Sequence, residues 1–270
     1  MEFLQVLYMF NVEGKMLDIF NVENKTFLIT GASSGIGRDV SILLNSVGAR
    51  LLITGRNKDK LIETYNMLKN KENAAMEAFD LSQINLIGDW VKSFIKKNSN
   101  LIDGFVHCAG INILKPLMIL TYQDMIDIMN VNFFAGMELL RNLANPKLSK
   151  RGSSFVFISS VAGNLGQAGT LSYGASKAAL INAVKTASLE LARYKFRVNA
   201  IAPGMIRTPI LKEYESKLDK EQLKSIEDKF PLGLGEPRDV SNIVLFLLSD
   251  ASKWITGATI TVDGGYSAGK

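Results

Sequence analysis

Seven short apolar runs recur along this chain, and they constrain its fold more than any other feature. They are TFLIT (26–30), RLLIT (50–54), AAMEAF (74–79), GFVHC (104–108), SFVFIS (154–159), RVNAIA (197–202) and ATITV (258–262). Several are continuously apolar rather than alternating, which suits strands covered by helices on both faces. The stretches between them are long enough for crossover helices, so the reading is an α/β fold with one parallel sheet of seven strands. One helix is legible near the end. Pro237 fits its first turn, and Val240, Ile243, Val244, Leu247 and Leu248 form an apolar stripe at helical spacing.

A chain of 270 residues with 47% hydrophobic content can bury a core of this kind as one domain. Its 31 basic and 26 acidic residues are dispersed, with no polybasic block suited to nucleic acid or to a membrane surface. A single cysteine, Cys108, excludes an internal disulfide framework, and with one histidine, His107, little is left for a metal centre. This composition fits a reducing compartment, and a cytoplasmic location is expected. The opening MEFLQVLYMF is too short to span a bilayer and lacks the basic start of a secretory signal. Residues 1–20 are read as an N-terminal extension and 21–270 as the domain. The echo of FNVEGK (10–15) in FNVENK (20–25) is too short for a repeat architecture, and only the second copy leads into a strand.

The first strand runs directly into TGASSGIG (30–37) and then a helix-like segment. Gly31, Gly35 and Gly37 allow a tight turn and close approach of backbone N–H groups to a pyrophosphate, which the helix N-terminus favours. Ser33, Ser34 and Ile36 complete the loop, and a dinucleotide is the expected ligand. After the second strand, where an acid would accept bonds from ribose hydroxyls, the chain has TGRN and no acid. Arg56, with Arg38 beside the glycine loop, offers the donor fork that matches a 2′-phosphate, so NADP(H) is expected over NAD(H).

In SYGASK (172–177), Tyr173 and Lys177 fall on one face of a helix with only small residues between them. A phenol has a pKa of about 10, and a nearby cation favours its ionised form, so the pair can act in proton transfer.

Taken together, TGASSGIG, ISSVAG, SYGASK, VNAIAPGMIRT and GATITVDGG resemble, in order and spacing, the short-chain dehydrogenase/reductase family, from about Lys25 to Tyr266. That resemblance implies a Rossmann-type doubly wound sheet and a catalytic set of Asn132, Ser160, Tyr173 and Lys177. Tyr173 would exchange a proton with the substrate oxygen and Ser160 would hydrogen-bond it. Lys177 would lower the phenol's pKa and bind the nicotinamide ribose, and Asn132 would position a water. It also implies cofactor contacts at Asp80 and Leu81, Ala109 and Gly110, Pro203 and Gly204, Ile206 and Thr208. Asp80 is equally read as a helix N-cap and Thr208 as a turn residue. The family's usual NNAG is HCAG here, so His107 and Cys108 replace two asparagines; His107 is read as structural and Cys108 as packing.

The implied activity is NADP(H)-dependent reduction of a carbonyl, most similar to the 3-oxoacyl-acyl-carrier-protein reductases. A sugar, steroid or other small alcohol is the alternative substrate, and a non-catalytic NADP(H)-binding regulator the alternative role. The resemblance implies a homotetramer. Lys147, Lys150, Arg151, Arg193 and Lys195 are read either as charges that solvate a surface or as a dock for an acidic acyl carrier protein. The segment from Met205 to Pro237 has no strand signal and is read as a flap over the pocket or a solvated helix pair.

Overall fold

In the computed structural model, residues 18–99, 101–209, 211 and 219–269 are described. Each of the seven apolar runs forms a strand: β1 Thr26–Thr30, β2 Arg50–Gly55, β3 Ala74–Ala78, β4 Ile102–His107, β5 Ser149–Ile158, β6 Arg197–Pro203 and β7 Thr259–Val262. All pair in parallel, in the order β3-β2-β1-β4-β5-β6-β7. The order reverses between β1 and β4, and a parallel sheet opens its ligand crevice beyond the carboxyl ends of the strands at such a point.

Continuous apolarity follows from the pleat, because successive residues enter opposite cores. Leu28, Phe105, Phe155 and Phe157 face one core with Trp90, Phe94, Leu139, Leu180 and Val184. These last five lie on α3 (Ile84–Asn98), α5 (Ala135–Leu143) and α6 (Leu171–Leu191). Phe27, Ile29, Val106 and Val156 face the other core with Val40, Leu44, Leu61, Val240 and Val244. Those belong to α1 (Gly35–Ser46), α2 (Lys58–Met67) and α8 (Pro237–Leu248). The predicted stripe of α8 is buried at Val240, Val244, Leu247 and Leu248, and Pro237 occupies its first turn.

Strand β5 starts five residues before its apolar run. The polar start SKRGS pairs with β4 only at Ser149, with a register slip between Ile102 and Gly104, and is tied to β4 by the Lys150–Asp103 ion pair and the Ser153 hydroxyl. Side-chain periodicity carries no trace of such pairing. A second irregularity lies between α4 (Tyr122–Met129) and α5, where Asn130–Phe134 form one π-helical turn.

Beyond β6 the two legs of the 205–237 segment are pinned together. Arg207 N–H donates to the Gly235 carbonyl at 2.8 Å and Gly235 N–H to that of Met205 at 3.0 Å. Helix α7 (Lys220–Glu227) lies between the legs, and Phe230 stacks on Tyr266 with centroids 4.6 Å apart. Residues 1–17, which hold most of the expected extension, and residues 210 and 212–218 of this segment lie outside the described residues. Among the described residues no helix is long and apolar enough to cross a membrane.

Candidate active site

The glycine loop is packed as its sequence demands. A Cβ on Gly31, whose φ is +65°, would sit 2.7 Å from Ala109 N, and one on Gly37 would meet the Gly31 carbonyl. The ends of β1 and β4 therefore touch at the switch point. Helix α1 opens above them with no acidic residue in its first turn and no side-chain cap from Ser34, so its N–H groups remain available to an anion. Thr208 joins the loop from β6, its methyl 3.1 Å from where a Gly35 Cβ would lie. A cleft of about 400 Å³ beside them is lined by Ser34, Gly35, Arg38, Arg207 and Thr208 among others.

The two expected phosphate arginines differ. Arg56 follows β2, is exposed, and has no hydrogen bond or ion pair among the described residues. Arg38 is held by Thr64 Oγ1 (3.0 Å), the Ser33 and Lys60 carbonyls (2.8 and 3.2 Å) and Glu63 (2.9 Å). It braces the loop against α2, and Glu63 offsets its charge. Asp80 accepts from Ser82 N–H in a turn ahead of α3, whose N-cap is Gln83, so Asp80 does not cap that helix. Leu81 is buried in the core beside it. Pro203 ends β6, Gly204 N–H donates to the Val262 carbonyl, and Ile206 bridges to Gly235.

At the carboxyl end of β5 the two adjacent serines separate. Ser159 donates to the Lys177 carbonyl at 2.9 Å and ties β5 to α6, whereas Ser160 faces the Tyr173 phenol. Lys177 lies in α6 with its Nζ 5.6 Å from the Tyr173 ring centroid and donating to the Ile158 carbonyl at 2.8 Å. Asn132, in the π-helical turn, donates to the Ile111 carbonyl and to Ser176, and accepts from Ile111 N–H. Its amide thus holds the loop after Ala109 and Gly110, and a Gly110 Cβ would fall 3.5 Å from Lys177 Nζ. All four expected catalytic residues converge on one side of the crevice.

Burial governs the titration of this group. It raises the Tyr173 pKa above its ordinary value despite the lowering by the Ser160 hydrogen bond. It also lowers Lys177 to about 8, with the Cys108 thiol working the other way. Lys177 is not among the groups that shift the phenol, so the expected depression by its charge is not seen, and the raised pKa leaves Tyr173 protonated at neutral pH. Cys108 is pushed up to about 12 by burial and remains a thiol.

Residues 31–267 match the family described as "Enoyl-(Acyl carrier protein) reductase". The chain is 37% identical over 248 residues to a 3-oxoacyl-[acyl-carrier-protein] reductase of Rickettsia prowazekii, covering 92% of this chain and 98% of that protein. It belongs to the short-chain dehydrogenase/reductase family. A 3-oxoacyl-[acyl-carrier-protein] reductase of Thermotoga maritima is 35% identical, covering 90% of this chain and 98% of the other. Among solved structures, a short-chain type dehydrogenase/reductase from Mycobacterium ulcerans superposes with a TM-score of 0.83 at 32% identity, covering 91% and 90% of the two chains. A dehydrogenase/reductase from Sinorhizobium meliloti superposes with 0.84 at 26% identity, covering 93% and 98%. As a member of this family the chain is an oxidoreductase that uses a nicotinamide cofactor.

Two features depart from the sequence reading. The basic cluster of Lys147, Lys150, Arg151, Arg193 and Lys195 lies by the amino ends of β5 and β6; Ser149 pairs with Ile102 and Phe157 with His107, so at about 3.3 Å per strand residue about 17 Å of sheet separates that end from the crevice. Lys150 is also paired with Asp103 at 2.8 Å. The cluster is on the wrong end of the sheet to serve the crevice. The second is Thr30, to which the sequence reading assigned no role: its hydroxyl accepts from Ala109 N–H at 3.3 Å and bonds His107 Nδ1 at 3.0 Å. Its place just before Gly31 was the available signal.

Proposed function

We propose that this protein reduces the ketone of a 3-oxoacyl thioester to a secondary alcohol with NADPH. The observation that carries the reading is the half-buried Tyr173 phenol beside Ser160 and Lys177, its pKa raised above the ordinary value by desolvation. A reductase must deliver a proton to the substrate oxygen, and a phenol kept above its ordinary pKa holds one at neutral pH. Ser160 donates a hydrogen bond to the same oxygen and fixes its position. Lys177 holds the phenol's surroundings positive and bonds the nicotinamide ribose, and Asn132 keeps the Ile111 loop against both.

The residues present fit the cofactor: a glycine cradle with no room for a Cβ at Gly31 or Gly37, an uncapped helix N-terminus and an unpaired Arg56. Gly31 to Arg38 would hold the pyrophosphate, and Arg56 the 2′-phosphate. Asp80 and Leu81 would face the adenine, Ala109 and Gly110 the ribose, and Pro203, Gly204, Ile206 and Thr208 the nicotinamide end. When bound, the reduced nicotinamide supplies the hydride. The relatives' names support the thioester, and an acyl carrier protein is the corresponding donor, docking at the carboxyl end of the sheet.

NADPH oxidation followed by absorbance against 3-oxoacyl and enoyl thioesters, a sugar, a steroid and a small ketone tests this. Turnover is expected with the 3-oxoacyl thioester and lost in Tyr173→Phe. Turnover of the enoyl thioester alone would refute the carbonyl assignment.

A further inference from the structure

His107 stands where the family resemblance expects asparagine, fully buried at the end of β4 against Phe105 and Phe157. Its tautomer follows from the bonds around it. Thr30 Oγ1 accepts from Ala109 N–H, and His107 Nδ1 is the one acceptor among the described residues within reach of its own proton, so the hydroxyl donates to Nδ1 and the ring proton sits on Nε2. Nε2 is buried with no hydrogen-bond partner among the described residues, and the backbone of Val131 is the neighbour that favours protonation of the ring. Val131 lies in the π-helical turn. There Ala135 N–H donates to the Asn130 carbonyl, so the Val131 carbonyl loses the donor an α-helix would provide. The ring is also closely fitted, since a Cβ on Gly136 would lie 2.9 Å from His107 Cδ2 and 3.1 Å from Nε2.

We infer that His107 is a positioning residue: its Nδ1 is anchored on Thr30 and its Nε2–H serves the Val131 carbonyl, so it joins the cofactor loop to the π-helical turn that presents Asn132. The inference rests on the proposed reduction only for its kinetic consequence. An asparagine here could satisfy Thr30 but is too short to serve Val131 as well, whereas the imidazole spans both. His107 thereby stabilises a turn whose freed carbonyl would otherwise be buried without a donor. Asn132 in turn holds Ile111 and Ser176.

Three substitutions separate the two bonds. His107→Asn keeps an amide near Nδ1, His107→Gln keeps one near Nε2, and His107→Leu keeps neither. The expected result is faster amide hydrogen exchange across residues 130–136 in the Asn and Leu variants, with near-wild-type protection in the Gln variant. For 3-oxoacyl reduction, kcat should fall roughly tenfold in the Asn and Leu variants with little change in KM, and Gln should restore most of it. Equal effects of all three, or unchanged exchange in the Leu variant, would overturn the inference. So would imidazole ¹⁵N shifts of the wild-type protein that put the proton on Nδ1, a measurement that needs no variant to fold. If the wild type reduces no carbonyl, the proposed function fails, while the exchange and ¹⁵N results still decide the role of His107.

Discussion

Replacing Arg56 with alanine should separate the two nicotinamide cofactors. The side chain is exposed and has no bond among the described residues, so its removal breaks nothing inside the fold. What it removes is a charge-assisted contact to the 2′-phosphate, worth about 1.5–3 kcal/mol. Exposure and salt screening put the effect near the lower figure, so the Kd for NADPH should rise about tenfold while that for NADH changes by less than about twofold. Titration of cofactor fluorescence at low and physiological salt measures both, and the NADPH effect should shrink as salt rises. Arg38→Ala is the contrast. Arg38 holds the Ser33 and Lys60 carbonyls and Thr64, so its loss should weaken both cofactors alike and lower the melting temperature. Equal weakening of NADPH and NADH by Arg56→Ala, or equal affinities in the wild type, would refute the assignment.

Tyr173→Phe should abolish carbonyl reduction with NADPH affinity nearly intact. In the wild type, single-turnover reduction should slow as pH rises, first as Lys177 loses its proton near 8 and then as the phenol does. Lys177→Met should eliminate turnover yet raise stability at neutral pH by about 1–3 kcal/mol, measured by urea unfolding. The folded pKa is depressed, so the charged form opposes folding below it, and the lost bond to Ile158 offsets part of the gain. For His107 the folded pKa, about 3, is also below the ordinary 6.5, with burial the main cause and Lys177 second. There the neutral form favours folding, so stability falls as pH drops through that window. From about pH 6.5 to about 4.5 the loss should be about 2–3 kcal/mol, and His107→Asn should flatten it. Deleting residues 1–15 should leave the melting temperature and cofactor binding unchanged, because FNVENK (20–25) supplies the lead into β1; an insoluble product would contradict this.

Much of the fold was legible because a strand covered on both faces leaves a local mark, an unbroken apolar run, and all seven runs became strands. The start of β5 was not legible, since Ser149 pairs through backbone groups that every sequence possesses and the Lys150–Asp103 tie joins residues 47 positions apart. In the candidate site, Tyr173 and Lys177 were legible from the helical repeat, and Gly31 and Gly37 from the absence of a side chain where none fits.

Spacing along the chain determined which residues could act together, because neighbours three or four apart on a helix, or consecutive in a βα turn, are fixed by local geometry. Tertiary structure decided what surrounds them. Arg38 reads like Arg56 until Glu63 and Thr64 arrive from α2 to hold it. Lys147 and Lys150 read as a docking patch until the strand direction carries them to the far end of the sheet. His107 reads as a buried histidine until β1 supplies Thr30 as the partner of its Nδ1. In each case charge, tautomer or accessibility depends on partners tens of residues away, and only the packed sheet brings them within bonding distance.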